Sequence, residues 1–187
     1  MVSMVTSPAG RPRSEHARRA VLHAVDDLLA DVGYAAMTIK GIAERAGVGR
    51  QTVYRWWSSK AEILLEACVV DAAEELVPGG PLEYLESLGR FLVSAPAGIA
   101  YRALIGEAQH DPAVRELVRA ADPLSAPTAA VLERLRPACA GMPDEALAAA
   151  QLTGPVVATV LISGSLLTTA QLHAHVDTLL AAWEVRV

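Results

Sequence analysis

The sequence predicts an all-α protein built from an N-terminal three-helix domain and a larger helical C-terminal domain. Apolar residues recur at helical spacing along most of the chain, and no useful run alternates apolar with polar residues, as a half-buried strand would. Hydrophobic residues make up 52% of the chain and aromatic residues only 4%. This composition is typical of a helical core of Ala, Val and Leu, and 187 residues suffice for one or two small domains.

The N-terminal domain is expected over residues 14–60, after a disordered basic arm over residues 1–13. Ser14 begins the first helix, whose apolar face keeps an amphipathic spacing as far as Gly33, where the helix ends. Arg11 and Arg13 lie in the arm. A basic arm in this position follows a phosphate backbone or reaches a minor groove, and a solvated tail is the alternative.

Residues 38–60 predict two short helices joined by a tight turn. The first helix has one apolar face at the spacing i, i+3, i+4, i+7, formed by Ile39, Ile42, Ala43 and Ala46. The hydroxyl of Thr38 is placed to cap this helix. Gly47 follows it, where a left-handed residue is favoured.

The second helix carries more polar and basic residues than a small core can use. Val48 and Val53 point back to the core, and the outer face is formed by Gly49, Arg50, Gln51, Thr52, Tyr54, Arg55 and Trp56. Such a face at the N-terminal end of the second helix is typical of a helix-turn-helix that enters the major groove of DNA.

Charge is distributed unevenly between the two parts of the chain. Residues 1–60 carry a formal balance of +4 and residues 61–187 a balance of −9, within a net charge of −5. A basic head on an acidic body favours a nucleic-acid-binding protein with a separate second domain. Chance clustering of surface charge is the alternative.

The C-terminal domain, residues 61–187, is expected to open with a linking helix at about 60–77. Further helices follow, and their start signals include Asp111-Pro112 and Asp122-Pro123. The last two helices are predicted at about 143–163, with a kink at Gly154-Pro155, and at 168–185, with Thr168 as the cap.

Residues 146–176 contain no Asp, Glu, Lys or Arg. Gly154-Pro155 and residues 163–165 interrupt this run, so helices buried against protein are favoured over a membrane span. No signal peptide is apparent in the first residues. Cys68 and Cys139 have no metal-ligand spacing and are expected to be reduced thiols in a cytoplasmic protein.

The stretch TIKGIAERAGVGRQTVYRWWSSKAEIL resembles the DNA-binding domain of the TetR family of transcriptional regulators. The segments IGEAQHDPAVRELV and LTGPVVATVLISG are similar to parts of that family's C-terminal domain. The resemblance implies a homodimer whose last two helices form a four-helix bundle with those of the partner. It implies interface residues at Val156, Val160, Leu161, Leu172, Val176, Leu179, Leu180 and Trp183.

The resemblance also implies an effector pocket among the middle helices. A small-molecule effector there moves the linking helix and separates the two recognition helices, so that DNA affinity falls. Phe91, Tyr101, Arg102, Glu107 and His110 are the candidate pocket residues, and the effector itself is not identified by the sequence.

Ten residues are predicted to contact DNA. Thr38 and Lys60 resemble phosphate contacts, and Lys40 matches a position that reaches a base or the backbone. Arg50 is suited to a guanine edge and Gln51 to an adenine edge. Gly49 permits close approach, and Thr52, Tyr54, Arg55 and Trp56 are expected at the backbone or base edges. A purely structural role for Tyr54 and Trp56 is the alternative, and Trp57 is expected to pack inward.

The function predicted from these observations is a DNA-binding transcriptional regulator that recognises a pseudo-palindromic operator in double-stranded DNA. A repressor released by its effector is favoured, and an activator of the same fold is the alternative. The alternatives of other classes are a helical enzyme with an accessory DNA-binding head and an interaction module that has lost DNA binding. No nucleophile–base arrangement, metal site or cofactor motif supports an enzyme. In particular, His173 and His175 do not share a helix face.

Overall fold

The computed structural model describes residues 11–77 and 79–184, and every regular element in these ranges is helical. The helices are α1 (Arg11–Asp31), α2 (Gly33–Ala36), α3 (Ile39–Arg45), α4 (Arg50–Tyr54), α5 (Lys60–Glu75), α6 (Pro81–Ser94), α7 (Pro96–Ala108), α8 (Pro112–Ala120), α9 (Ser125–Leu135), α10 (Glu145–Ser163) and α11 (Thr169–Ala182), with a 3-10 turn at Arg136–Ala138. The chain divides into two compact units between Leu64 and Leu65, inside α5 and four residues beyond the predicted boundary.

The first unit is a small helical domain in which α1 packs on α2, α3 and α4. Its fully buried side chains include Val25, Ile42 and Val53. The helix α1 begins at Arg11 rather than Ser14, so the prediction of disorder is wrong for residues 11–13, and residues 1–10 lie outside the described residues. Within the described residues, four helices precede α5 rather than three, since the one-turn helix α2 lies between α1 and α3. Gly33, its first residue, has a φ of 72°.

The second unit is a bundle in which α6 contacts α7, α10 and α11, and α7 also contacts α8. The helix α6 is the most buried, since Tyr84, Leu85, Leu88, Phe91 and Leu92 are each at most 2% exposed. The helix α9 lies against α10, which also packs on α11.

Two of the three predicted capping residues start helices in this unit. Asp111 accepts from the amides of Ala113 and Val114, and Thr168 forms a capping box with Gln171. The expected start at Asp122-Pro123 is wrong, because Asp122 Oδ1 accepts from the amide of Leu124 in a turn and α9 begins at Ser125.

Most of the residues predicted at the dimer interface are buried within the single chain. Val156, Val160, Leu172, Val176, Leu179 and Trp183 are each at most 8% exposed in the single chain. They fill this chain's own core, because α10 and α11 turn that face toward α6 and each other. Of the predicted set, Leu161 is 43% exposed and Leu180 is half-buried.

The opposite face of α10 is apolar and open. Ile162 is 87% exposed and Leu147 is 49% exposed, and Leu166, in the segment after α10, is 48% exposed. Among the described residues, α10 alone has the length and mean hydropathy, 1.7, of a membrane-crossing helix, with 22% of that window buried. A helix this apolar and this open needs a covering surface.

Candidate nucleic-acid interface and ligand cleft

The turn between α3 and α4 is fixed by backbone geometry that the sequence anticipates. Thr38 Oγ1 accepts from the amide of Gly41 at 3.0 Å and caps α3. Gly47 has a φ of 65°, a left-handed conformation that other residues adopt at a cost. The amide of Val48 returns to the carbonyl of Ala43 at 3.0 Å. These bonds set the angle at which α4 leaves α3.

The helix α4 presents a polar outer face and a single buried residue. Val53 is fully buried and anchors the helix to the core. Arg50, Gln51 and Arg55 are exposed, and Tyr54 is 55% exposed. The structure therefore brings the predicted base-reading side chains together on one open surface, with Thr52 half-buried beside them.

Ion pairs connect α3 to α1. Arg45, in the last turn of α3, bonds to Asp31 at 2.6 Å and to Asp27 at 3.4 Å, both on α1. The hydrogen bond with Asp31 is the main cause that raises the pKa of the Arg45 guanidinium. Arg45 thus orients α3 against α1 and is not part of the open face of α4.

Lys60 is engaged inside its own unit. Its Nζ donates to the carbonyl oxygen of Tyr34 at 3.1 Å and lies 3.9 Å from the centre of the Tyr34 ring. Partial burial lowers the pKa of this ammonium. Lys60 therefore ties the start of α5 to α2, and a phosphate contact remains a prediction for it.

The two tryptophans behave differently. Trp57 is 4% exposed and packs inward, as predicted, whereas Trp56 is 40% exposed. The guanidinium of Arg18 lies 5.8 Å from the centre of the Trp56 ring, a cation–π contact between α1 and the end of α4. Lys40 is exposed and pairs with Glu44 at 3.7 Å.

The second unit contains a cleft of about 750 Å³. Its lining residues come mainly from α9, from the segment before it and from α10: Tyr101, Asp122, Leu124, Ser125, Thr128, Ala129, Leu132, Glu145, Ala146, Ala149, Ala150, Thr153, Gly154, Val157, Ala158 and Leu161. The volume is typical of a site for a drug-sized molecule.

Of the five predicted pocket residues, only Tyr101 lines this cleft. Phe91 is a core residue that is 1% exposed, and Arg102 donates to the carbonyl of Leu92 at 3.2 Å. Glu107 and His110 lie in the last turn of α7 and just beyond it, outside the lining. These four residues lie outside the lining of this cleft, and a role for them at an effector site stays a prediction.

The polar end of the cleft centres on Asp122, which sequence reasoning treated only as a helix-start signal. Tyr101 Oη donates to Asp122 Oδ1 at 2.8 Å. Burial, and then the charge of Asp122, raise the pKa of Tyr101 well above its usual value. Nearby, Tyr84 bonds to Thr128 at 2.7 Å, and burial raises the pKa of Tyr84 to about 12. No local motif in the sequence marks this cluster.

Within the part of the chain that the structure describes, no group of three or more His, Cys, Asp or Glu residues is placed to hold a metal ion. Cys68 and Cys139 are buried free thiols. The sulfur of Cys68 contacts the carbonyl of Ala97 at 3.2 Å, and burial raises the pKa of Cys139.

Two curated relatives match about three fifths of the chain. The uncharacterized HTH-type transcriptional regulator YdeS of Bacillus subtilis (strain 168) is 38% identical over 120 residues, which cover 60% of this chain and 60% of YdeS. The uncharacterized HTH-type transcriptional regulator Rv1556 of Mycobacterium tuberculosis (strain ATCC 25618 / H37Rv) is 32% identical over 128 residues, or 64% of this chain and 63% of Rv1556. The match thus spans about three fifths of these relatives.

Solved structures share the whole architecture. The crystal structure of the TetR family transcription regulator SCO0332 superposes with a TM-score of 0.77 at 28% identity, covering 89% of this chain and 98% of that one. The family model for bacterial regulatory proteins of the tetR family matches residues 21–67, which contain α3, α4 and the start of α5. In this motif and in this architecture, the chain is similar to the TetR family of bacterial regulatory proteins.

Proposed function

We propose that this chain is a sequence-specific, DNA-binding transcriptional repressor that a small-molecule effector releases from its operator. The open face of α4 carries this proposal. Arg50, Gln51 and Arg55 project from a helix that Val53 fixes to the core. Guanidinium and amide groups are the side chains best suited to guanine and adenine edges in the major groove.

The charge of the chain supports the same function. The first 60 residues carry a balance of +4, so the unit that contains α4 is attracted to the phosphate backbone. The remainder carries −9, which disfavours contact of the second unit with DNA. The proposed location is the cytoplasm, where a bacterial regulator meets the chromosome, and the proposed role is regulatory rather than enzymatic.

The outer faces of α10 and α11 support the proposal of a homodimer. On α10, Ile162 is apolar and 87% exposed. On α11, the exposed positions include the small residues Ala170, Ala174 and Ala181. Small side chains let two helices approach closely, and a partner's helices would cover the open apolar residues. A two-fold dimer presents two α4 helices and thereby favours a pseudo-palindromic site.

Selection of binding sequences from random DNA duplexes tests the proposal. A pseudo-palindromic consensus is expected, with binding that weakens steeply as salt rises. Arg50→Ala should weaken binding by about 1–3 kcal/mol and relax one base preference. Arg119→Ala, which removes an exposed arginine of α8 in the second unit, is the matched control and should leave binding unchanged. Recovery of no consensus, or equal loss in both variants, would contradict the proposal.

A further inference from the structure

The charged side chains that line the cleft are all negative. Its sixteen residues include the carboxylates Asp122 and Glu145 and no Lys, Arg or His. An anionic ligand would meet two negative charges and no compensating cation. The electrostatics of the lining therefore favour a positively charged ligand.

The hydroxyl groups of the lining have already donated their hydrogens to the protein. The four bonds are Tyr101 Oη to Asp122 Oδ1 at 2.8 Å, Ser125 Oγ to the Asp122 carbonyl at 2.9 Å, Thr128 Oγ1 to the Leu124 carbonyl at 2.6 Å, and Thr153 Oγ1 to the Ala149 carbonyl at 2.8 Å. A hydroxyl has a single hydrogen to donate but two lone pairs that accept. The side chains of the lining thus offer acceptors to a ligand and no free hydroxyl donor.

Asp122 is held in one orientation with one oxygen to spare. Its Oδ1 accepts from Tyr101 Oη and from the amide of Leu124 at 3.0 Å. Among the described residues, no hydrogen bond reaches Oδ2. A carboxylate fixed in this way is prepared to accept from a ligand without reorganising first.

The remainder of the cleft is apolar and large. Its apolar lining includes Leu132 of α9 and Ala149, Val157 and Leu161 of α10. A cavity of about 750 Å³ has room for a ligand with an apolar body well beyond the charged group.

We propose that this cleft binds an organic cation, a protonated amine with an apolar body, whose N–H groups donate to Asp122 and whose charge is balanced by Asp122 and Glu145. The inference rests on the proposed ligand-responsive function and specifies the class of effector. Carboxylates, phosphates and neutral acceptor molecules lack the donors that this lining requires.

Isothermal titration of the full chain with matched probes tests the inference. Each set keeps one apolar body and changes the polar group: phenylbutylamine, phenylbutanol and phenylbutyrate form one set, and diphenylpropylamine, diphenylpropanol and diphenylpropionate form the other. In at least one set the ammonium should bind about tenfold or more tightly than the alcohol, and the carboxylate should not bind. Amines that bind no better than their alcohols, or not at all, would overturn the inference.

Variants locate the binding in the cleft. Asp122→Asn keeps an oxygen for Tyr101 and Leu124 but removes the charge, and should weaken amine binding about tenfold or more. Glu133→Gln removes an exposed carboxylate of α9 outside the lining and should have no effect. If the two variants changed amine binding equally, the assignment of the binding site to the cleft would be overturned.

A filling variant separates a ligand cleft from a surface that a second copy covers. Ala129→Phe places a ring in the cleft from α9, away from the outer faces of α10 and α11. It should abolish amine binding while the mass in light scattering and the affinity for DNA stay unchanged. A change of mass instead would identify the occupant as a second copy and overturn the inference. DNA binding and amine binding are measured separately. A chain that binds the amine but no DNA would refute the proposed function, and the inference about the cleft would still be tested by amine binding.

Discussion

Replacing Gly98 by alanine is predicted to destabilise the second unit, because the added Cβ would clash with the backbone of α6. Gly98 lies in the first turn of α7, where the backbone of α6 approaches most closely. A Cβ at this position would lie 1.9 Å from the carbonyl oxygen of Phe91 and 3.0 Å from Cα of Leu92. Both atoms belong to the backbone and cannot rotate away, so α6 and α7 must separate by about 1 Å.

The expected cost follows from that displacement. Overpacking of a core typically costs about 1–3 kcal/mol, and a clash with backbone belongs at the upper end of this range. For a chain of this size the melting temperature should fall by roughly 2–12 °C. Tyr101, one turn later on α7, should move with the helix, so Gly98→Ala should also weaken any amine that binds beside Asp122.

Gly106 provides the matched control within the same helix. A Cβ there would meet nothing within 4 Å, and Gly106 is exposed. Gly106→Ala should stabilise the chain by about 0.5–1 kcal/mol, because alanine restricts the unfolded backbone and favours helix. Thermal unfolding followed by circular dichroism measures both variants. If Gly98→Ala melts at or above the temperature of Gly106→Ala, the close approach of α6 and α7 is not as described.

Three further outcomes are expected. Burial raises the pKa of Tyr84 to about 12, so the stability that the neutral Tyr84 hydroxyl contributes is complete below about pH 10 and is lost toward pH 12. The free energy of unfolding should fall over this range by about 1.4 kcal/mol per pH unit. Tyr84→Phe should flatten that decline, as measured by urea unfolding. Ile162→Glu should halve the mass in light scattering with helicity retained, whereas Ile99→Glu, also at an exposed apolar position, should not. Lys60→Met should weaken binding to all DNA sequences alike and reduce the slope of log affinity against log salt concentration by about 1. An altered consensus sequence would show that the role of Lys60 is misassigned.

Local signals predicted most of the helix-turn-helix. The cap at Thr38, the left-handed Gly47 and the buried Val53 are all present in the structure. Each depends on interactions within a few residues, and such interactions are specified by residue type and spacing. The prediction was less accurate at the first helix, because α1 begins at Arg11 rather than at Ser14.

The predicted pocket and dimer interface depend on which helix face meets which neighbour, and local signals in the sequence do not specify this. Periodicity identifies an apolar face, but that face can fill the chain's own core or a partner's. Val160 and Trp183 fill this chain's core, and Ile162, on the opposite face, is left open.

The sequence by itself determined the all-helical fold, the recognition turn from Thr38 to Trp57 and the polar outer face of α4. These features follow from short-range spacing, capping and charge. Only the tertiary structure decided that Asp122, Tyr101 and Glu145 share one cleft, and that Lys60 bonds to Tyr34. Residues separated by twenty or more positions meet only when whole helices pack, and that packing is settled by the fit of many side chains at once.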